Sequence, residues 1–314
     1  MAAEGYRMAQ GPNPQTRTGM RILLTGASGF LGGHLLRELR QHHAVTTLGR
    51  AASNDVGCDL SATVPVVPEL DMVVHAAGKA HVVPRTDAER KAFFDVNVKG
   101  TENLIRGLHA SRHRPDTVVF FSTVAVYGLE HGLDVDEESP ALGGTPYADS
   151  KIQAEALLRD WGRSTGVAVL ILRIPLIAGT DAPGNLGAMV RAMRRGYYLR
   201  IGDGRARKSM VNASDLARFV PNLLGLEGTY NLTDGHHPSL AELDSLIAAQ
   251  LGRKVRALPD RMADLLARLG DAVPAFPFNS YRLEKLRREL TFSDAKARRE
   301  LDWSPRSVLE TFKA

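Results

Sequence analysis

Tyr147 and Lys151 stand four residues apart in the run YADSK at 147–151. On a helix, that spacing puts a phenol and an ammonium on one face, one turn apart. A nearby cation stabilises a phenolate, so the spacing predicts a Tyr147 able to give and take a proton near neutral pH. Upstream, Ser122 and Thr123 close an apolar run with two hydroxyls. A hydroxyl there could hydrogen-bond the oxygen whose proton Tyr147 moves. Further upstream, Gly26, Gly29 and Gly32 punctuate the run TGASGFLG at 25–32. The first glycine permits a tight turn, the second lets backbone approach a pyrophosphate, and the third lets a helix pack closely on a sheet.

These groups need a scaffold, and the hydrophobic pattern supplies one. Strand-like runs at 21–25, 45–48, 72–76, 118–122 and 167–172 alternate with helical patterns at 31–42, 88–108 and 147–164. Near-continuous apolar strands alternating with helices predict a parallel sheet covered on both faces. The glycine run joins the first strand to the first helix, whose N-terminus would offer free N–H groups and a positive dipole end to phosphates. The fold class expected is α/β: a Rossmann-like doubly wound parallel sheet over 20–175. A smaller mixed α/β substrate lobe over 176–314 follows, with some segments returning to the sheet. In that lobe, helices are expected near 186–195 and 215–225, and Ser239 and Glu242 form a capping box for a helix running to Gly252. Residues 1–19 are polar and rich in Gly, Pro and Gln. They are set apart as a disordered extension, a cloning remnant or a start upstream of the native one.

Composition bounds the partners. The chain has 314 residues, 44% hydrophobic and 24% charged, as in ordinary globular proteins. No apolar run is long enough to span a bilayer. The single cysteine, Cys58, cannot form an internal disulfide and fits a reducing, cytoplasmic setting. The net charge of +5 is compatible with acidic ligands, but no nucleic-acid motif or zinc spacing accompanies it, so neither nucleic acid nor a metal is expected.

The second strand ends Leu48-Gly49-Arg50, without the carboxylate that commonly reads a free ribose. Arg50 could fork onto a 2′-phosphate, which favours NADP, with NAD kept open; otherwise Arg50 is solvated or stacks on adenine. Asp59 reaches the adenine amino group or caps local backbone.

Six runs in order resemble the extended short-chain dehydrogenase/reductases, the nucleotide-sugar epimerases, dehydratases and reductases. They are TGASGFLG at 25–32, HAAG at 75–78, NVKGT at 97–101, FFSTVAVYG at 120–128, YADSK at 147–151 and RIPLIAG at 173–179. The resemblance spans residues 20 to about 312. It implies that Thr123 is the active-site hydroxyl, Tyr147 the acid/base and Lys151 its partner, which also holds the nicotinamide ribose. It implies cofactor contacts from Gly26, Ser28, Gly29, Phe30, Leu31, Gly32, Arg50, Asp59, Leu60, Ala76, Ala77, Gly78 and Ile174. Asn97 matches an asparagine that supports the lysine; read from the residues alone, it is a kinked or solvated helix position. His75 is read as structural. Asn185 and Leu186 match a segment that meets the nucleotide diphosphate. Lys208 stands where the family has a phosphate-pairing Arg, with Arg207 beside it to supply the fork, and Arg282 is a late phosphate contact.

Within that resemblance, a dehydratase usually has Asp-Glu after the active-site hydroxyl, whereas Thr123 is followed by Val124-Ala125. The expected reaction is reduction of a UDP-linked 4-keto-hexose by NADPH in surface-polysaccharide synthesis. The alternative is a UDP-hexose 4-epimerase with tightly bound NAD, and the minor one a non-catalytic, cofactor-binding regulator. The resemblance also implies a homodimer through helices 88–108 and 147–164 as a four-helix bundle.

Overall fold

The structure is a computed structural model that describes residues 18–80, 82–272 and 279–314. Of the stretch set apart at the N-terminus, residues 1–17 lie outside the described residues. The first half runs β1 (Arg21–Thr25), α1 (Phe30–Leu39), β2 (Ala44–Gly49), β3 (Val56–Gly57), β4 (Met72–His75), α2 (Asp87–Phe94), α3 (Gly100–Ala110) and β5 (Thr117–Thr123). Then come β6 (Gly132–Val135), α4 (Pro146–Thr165), β7 (Ala168–Ile174) and β8 (Leu176–Ala178). The rest runs α5 (Gly184–Arg194), β9 (Leu199–Ile201), β10 (Met210–Asn212), α6 (Ala213–Phe219), β11 (Gly228–Asn231) and α7 (Leu240–Gln250). It closes with β12 (Arg256–Leu258), α8 (Asp260–Ala272), α9 (Ser280–Arg287), β13 (Leu290–Phe292), α10 (Ala295–Leu301) and α11 (Val308–Thr311).

Seven parallel strands form the main sheet in the order β11-β7-β5-β4-β1-β2-β3. Successive side chains of a strand point to opposite faces. Ile22, Leu24, Met72 and Val74 therefore pack on one side with Leu35 of α1 and Leu216 of α6. Leu23, Val73, Val118 and Phe120 pack on the other with Leu104 of α3 and Leu158 of α4. Both faces are covered, which is why these strands read as unbroken apolar runs. Pro175 has no N–H to give a ladder, and it stands between β7 and β8. Beyond it β8 pairs with β10 and β9 with β12, β13 returns to pair with the earlier β6, and β11 joins the main sheet beside β7.

Boundaries shift in places from the periodic pattern. The first helix ends at Leu39 rather than at His42, because Gln41 and His42 bond back to Glu38 and Leu39 in a turn before β2. The expected helix at 88–108 is broken by a π-helical turn at Asp95–Lys99, between α2 and α3. The Ser239–Glu242 capping box is present, but its helix stops at Gln250. α4 starts on Pro146, with the Thr145 hydroxyl accepting from the Ala148 N–H at 3.2 Å, and ends at Gly166 with φ 74°.

Candidate active site

β5 lies between β4 and β7, so Ser122 and Thr123 arrive at the carboxyl edge near the middle of the sheet. In open α/β sheets, that edge is where ligands bind. Thr123 is in register with Ile174, and its Oγ1 accepts from the Ala125 N–H at 3.2 Å, capping a short 3-10 turn at Val124–Tyr127. Tyr147 sits in the first turn of α4, half-buried, with its ring 6.1 Å from that of Phe93. The Thr123 hydroxyl is near enough to the Tyr147 phenol to influence its titration. One turn later Lys151 is 4% exposed. Its Nζ donates to the Phe121 carbonyl of β5 at 2.7 Å and lies 4.1 Å above the Phe120 ring.

Burial governs the charge of both members of the pair. Burial lowers the Lys151 ammonium to about 7, partly opposed by the charge of Glu155. Burial raises the Tyr147 phenol, and the neighbouring Thr123 hydroxyl pulls it back only in part. The Lys151 N–H groups are engaged by a β5 carbonyl and an aromatic face. Tyr147 is thus a protonated phenol at neutral pH, in the form that donates.

Asn97 falls in the π-helical turn and is 2% exposed. Its Oδ1 accepts from the Lys79 N–H at 2.7 Å, and its Nδ2 donates to the Lys79 carbonyl and to Ser150 Oγ at 2.9 Å. Ser150 in turn donates to the Tyr147 carbonyl at 2.8 Å. Asn97 thereby links the loop after β4 to the first turn of α4. Ser150 was not singled out from sequence, although it lies inside the YADSK run. His75, buried at the end of β4, bonds Thr25 at 2.7 Å and Thr101 at 3.0 Å. Burial, with the Lys151 charge adding, lowers its imidazole to about 3, so it is neutral and spent on packing.

A second set escaped the sequence reading. Glu155, four residues past Lys151, accepts from the Ser122 hydroxyl at 2.5 Å and from Arg173 at 2.9 and 3.2 Å. Arg173 also places its guanidinium 4.9 Å from the Tyr127 ring. Spacing from Lys151 could have put Glu155 on the same helix face. Its partners lie on β5 and β7, which no local pattern reveals.

The glycine run forms a cradle that fits a dinucleotide. Gly26 has φ 76°, and a Cβ there would stand 2.6 Å from the Ala77 nitrogen and 2.7 Å from the Ala76 carbonyl carbon. A Cβ on Gly32 would fall 1.9 Å from the Gly26 oxygen, and one on Gly29 would be 3.2 Å from it. No side chain caps α1, and Ser28 and Gly29 are exposed before it, so its first N–H groups are open to an anion. Phe30 and Leu31 are half-buried; Leu31 packs on the sheet and Phe30 under Gly179. Thr25 Oγ1 accepts from the Ala77 N–H at 3.1 Å and holds Ala76, Ala77 and Gly78 alongside the loop. A Cβ on Gly78 would lie 3.2 Å from Asn97 Oδ1 and 3.6 Å from Lys151 Nζ. Cradle and Lys151 are therefore adjacent.

Arg50 is exposed at the end of β2. Asp55, a little further on, is committed to the Thr47 N–H and hydroxyl, both at 2.8 Å. Asp59 makes a local turn, accepting from the Ser61 N–H and hydroxyl at 3.0 and 2.7 Å. These bonds lower its carboxyl against burial, and the charge of Arg50 adds to the effect. Leu60 is buried, and its carbonyl takes the Asn103 amide at 2.7 Å.

In the second lobe, Asn185 is exposed in the first turn of α5, and Leu186 is buried beside it. Arg207 spends Nε and Nη2 on the carbonyls of His237 and His236 at 3.1 and 2.7 Å. Lys208 donates to the carbonyls of Arg288 and Lys285 at 2.7 and 3.3 Å, closing the end of α9. Arg282 is exposed on α9.

Residues 22–231 match the family described as NAD dependent epimerase/dehydratase. The chain is 28% identical over 253 residues to N-acetyl-alpha-D-glucosaminyl-diphospho-ditrans,octacis-undecaprenol 4-epimerase of Escherichia coli O157:H7, covering 76% of this chain and 74% of that one. It is 31% identical over 261 residues to GDP-6-deoxy-D-mannose reductase of Pseudomonas aeruginosa, covering 77% and 84%. The structure of RMD from Pseudomonas aeruginosa complexed with NADPH superposes with a TM-score of 0.71 at 25% identity, covering 93% of this chain and 95% of that one.

Proposed function

Because the chain belongs to the NAD dependent epimerase/dehydratase family, we propose that it is an NADPH-dependent reductase of a nucleotide-linked 4-keto sugar. The observation that carries the reading is Arg50, an exposed guanidinium at the end of β2 where no carboxylate stands. A guanidinium there pairs with a 2′-phosphate through two N–H groups. An exchangeable NADPH suits a reductase, which consumes its cofactor at each turnover. Val124 and Ala125 after Thr123 leave no acid pair to drive loss of water.

A bound nicotinamide supplies the hydride for the sugar carbonyl. The residues supply the rest. Tyr147, protonated at neutral pH, donates to the C4 oxygen as charge builds on it. Thr123 hydrogen-bonds the same oxygen and fixes its position. Lys151 holds the cofactor ribose, with Gly78 and Asn97 keeping that corner closely packed. Asn185, Arg207, Lys208 and Arg282 face the nucleotide diphosphate in this reading, with Arg207 and Lys208 first giving up their carbonyl partners.

The test is turnover with NADPH and a panel of nucleotide-linked 4-keto sugars. Steady loss of NADPH absorbance with formation of the 4-hydroxy sugar supports the proposal. Interconversion of two nucleotide hexoses with no added cofactor would make the chain an epimerase and overturn it.

A further inference from the structure

The helix α8 turns an apolar stripe to solvent. Met262, Leu265, Leu266 and Leu269 are 54%, 61%, 37% and 56% exposed. They recur at i, i+3, i+4 and i+7, so they share one helix face. The inner face is small and buried: Ala263 and Ala267 pack with Leu283 of α9. The helix already has its core contacts, and the stripe is surplus to them.

The charges around the stripe are segregated. All three acids of α8 are tied to α9 or its N-terminus: Asp260 and Asp264 to Arg287, both at 2.6 Å, and Asp271 to Ser280 at 2.6 Å. Arg261 and Arg268, seven residues apart and both exposed, line one edge of the stripe and have no partner among the described residues. Lys254 and Arg256, also exposed, lie in the segment that leads into the helix. An aliphatic stripe bordered by unpaired cations, with each acid of the helix engaged by α9 or its N-terminus, has the form of a helix that lies in a bilayer interface. Arginines at its border can keep their heads among lipid phosphates while their stems cover apolar surface. At 13 residues α8 is too short to span, and no helix among the described residues is long and apolar enough to do so.

We infer that α8 docks the protein on an anionic membrane surface through Met262, Leu265, Leu266 and Leu269, with Arg261 and Arg268 on lipid phosphates. The inference is independent of the proposed reaction.

Co-sedimentation of the full chain with vesicles tests it. One set is phosphatidylcholine with an equal part of phosphatidylglycerol, and the other is phosphatidylcholine alone. The protein is expected to bind the first set and much less of the second, and to be released by salt. The double variant Arg261→Gln/Arg268→Gln is expected to weaken partitioning roughly thirty-fold. Leu265→Ser/Leu269→Ser, which alters only exposed side chains, should abolish it while leaving the circular dichroism spectrum unchanged. Failure of the wild-type chain to bind anionic vesicles, or binding that both variants retain, overturns the proposal. Sedimentation velocity distinguishes the rival occupant. A dimer that Leu265→Ser/Leu269→Ser dissociates, without vesicle binding, would make the stripe a protein interface and also overturn it.

Discussion

Ser122 donates its hydroxyl to Oε1 of Glu155 at 2.5 Å, tying the strand that ends in Thr123 to the helix that carries Tyr147 and Lys151. The same carboxylate pairs with Arg173 on β7 and with Arg159 one turn along α4. Three elements, two of them carrying the candidate catalytic residues, thus meet at one buried charge. Burial resists ionisation of Glu155, but the bonds and charge of Arg173 outweigh it and hold the carboxyl below its ordinary range.

Removing one partner of this pair should cost far more than removing both. Glu155→Met leaves Arg173, 5% exposed, as an unmatched buried charge, and about 3–5 kcal/mol of stability should be lost. Glu155→Met/Arg173→Met should recover most of that. A lowered carboxyl contributes stability above its unfolded pKa, and that contribution fades as pH falls through the folded value. Urea denaturation from neutral pH to below the ordinary 4.5 should therefore fall more steeply in the wild type than in the double variant. Additive losses in the double-mutant cycle would refute the coupling.

The Tyr147→Phe protein tests the acid. It should lose roughly 10²–10⁴-fold in kcat while binding NADPH as before. In the reducing direction the phenol must be protonated. Since burial lifts it above its ordinary 10.0, the rate assigned to this group should hold through neutral pH and decline only on the alkaline side. A rate limb near neutrality that disappears in Tyr147→Phe would show that bound cofactor lowers the phenol, which the protein alone does not.

Lys151 gives a second pH signature in the cofactor-free protein. Its folded value near 7 lies below the ordinary 10.5. Between these values the unfolded chain binds a proton that the folded chain lacks, so stability rises with pH across that window. The rise for one group is at most about 1.4 kcal/mol per pH unit. Thermal melts from pH 7 to 10 should show this component in the wild type and lack it in Lys151→Met. Parallel curves would mean that the buried amine keeps its proton throughout, held by the Phe121 carbonyl and the Phe120 face.

Adjacent glycines in α1 should respond with opposite signs. Gly32→Ala would drive a Cβ to 1.9 Å from the Gly26 oxygen, whereas Gly33 has nothing within 4 Å. The first should cost about 1–3 kcal/mol and weaken cofactor binding, as loop and helix are forced apart. The second should be neutral or stabilise by about 0.5–1 kcal/mol through helix propensity. Denaturant midpoints with and without NADPH separate the two effects.

What could be read from the chain alone follows the range of the interactions. The glycine cradle, the buried strands and the Tyr147–Lys151 turn rest on local spacing, and the structure contains them with shifts of a few residues at the ends. Asn97 could be read only as a kinked or solvated helix position, because a run of helix-compatible residues does not report the one extra residue of a π-helical turn. Glu155 was hidden for another reason. Its partners Ser122 and Arg173 meet it only after β5 and β7 pair, so no window of sequence contains the contact. Arg207 and Lys208 looked like free phosphate donors, yet both are hydrogen-bonded to carbonyls of the second lobe.

The proposed preference for NADPH rests on Arg50. It is exposed, stands at the end of β2 and has Asp59 close enough to feel its charge. If Arg50 pairs with a 2′-phosphate, Arg50→Ala removes hydrogen bonds to a charged group, and affinity for NADPH should fall roughly 10–100-fold. NADH, which has no such phosphate, should lose little. Arg50→Asp should go further, since a carboxylate repels the phosphate and can accept from a free ribose hydroxyl. The preference should then reverse towards NADH. Because Arg50 lies apart from Thr123, Tyr147 and Lys151 in the chain, kcat at saturating cofactor should change much less than KM. Fluorescence titration of both cofactors against the three proteins reads the effect directly. Equal losses for NADH and NADPH would mean that Arg50 stacks on adenine or serves only as surface charge, and the argument for an exchangeable NADPH would fall with it.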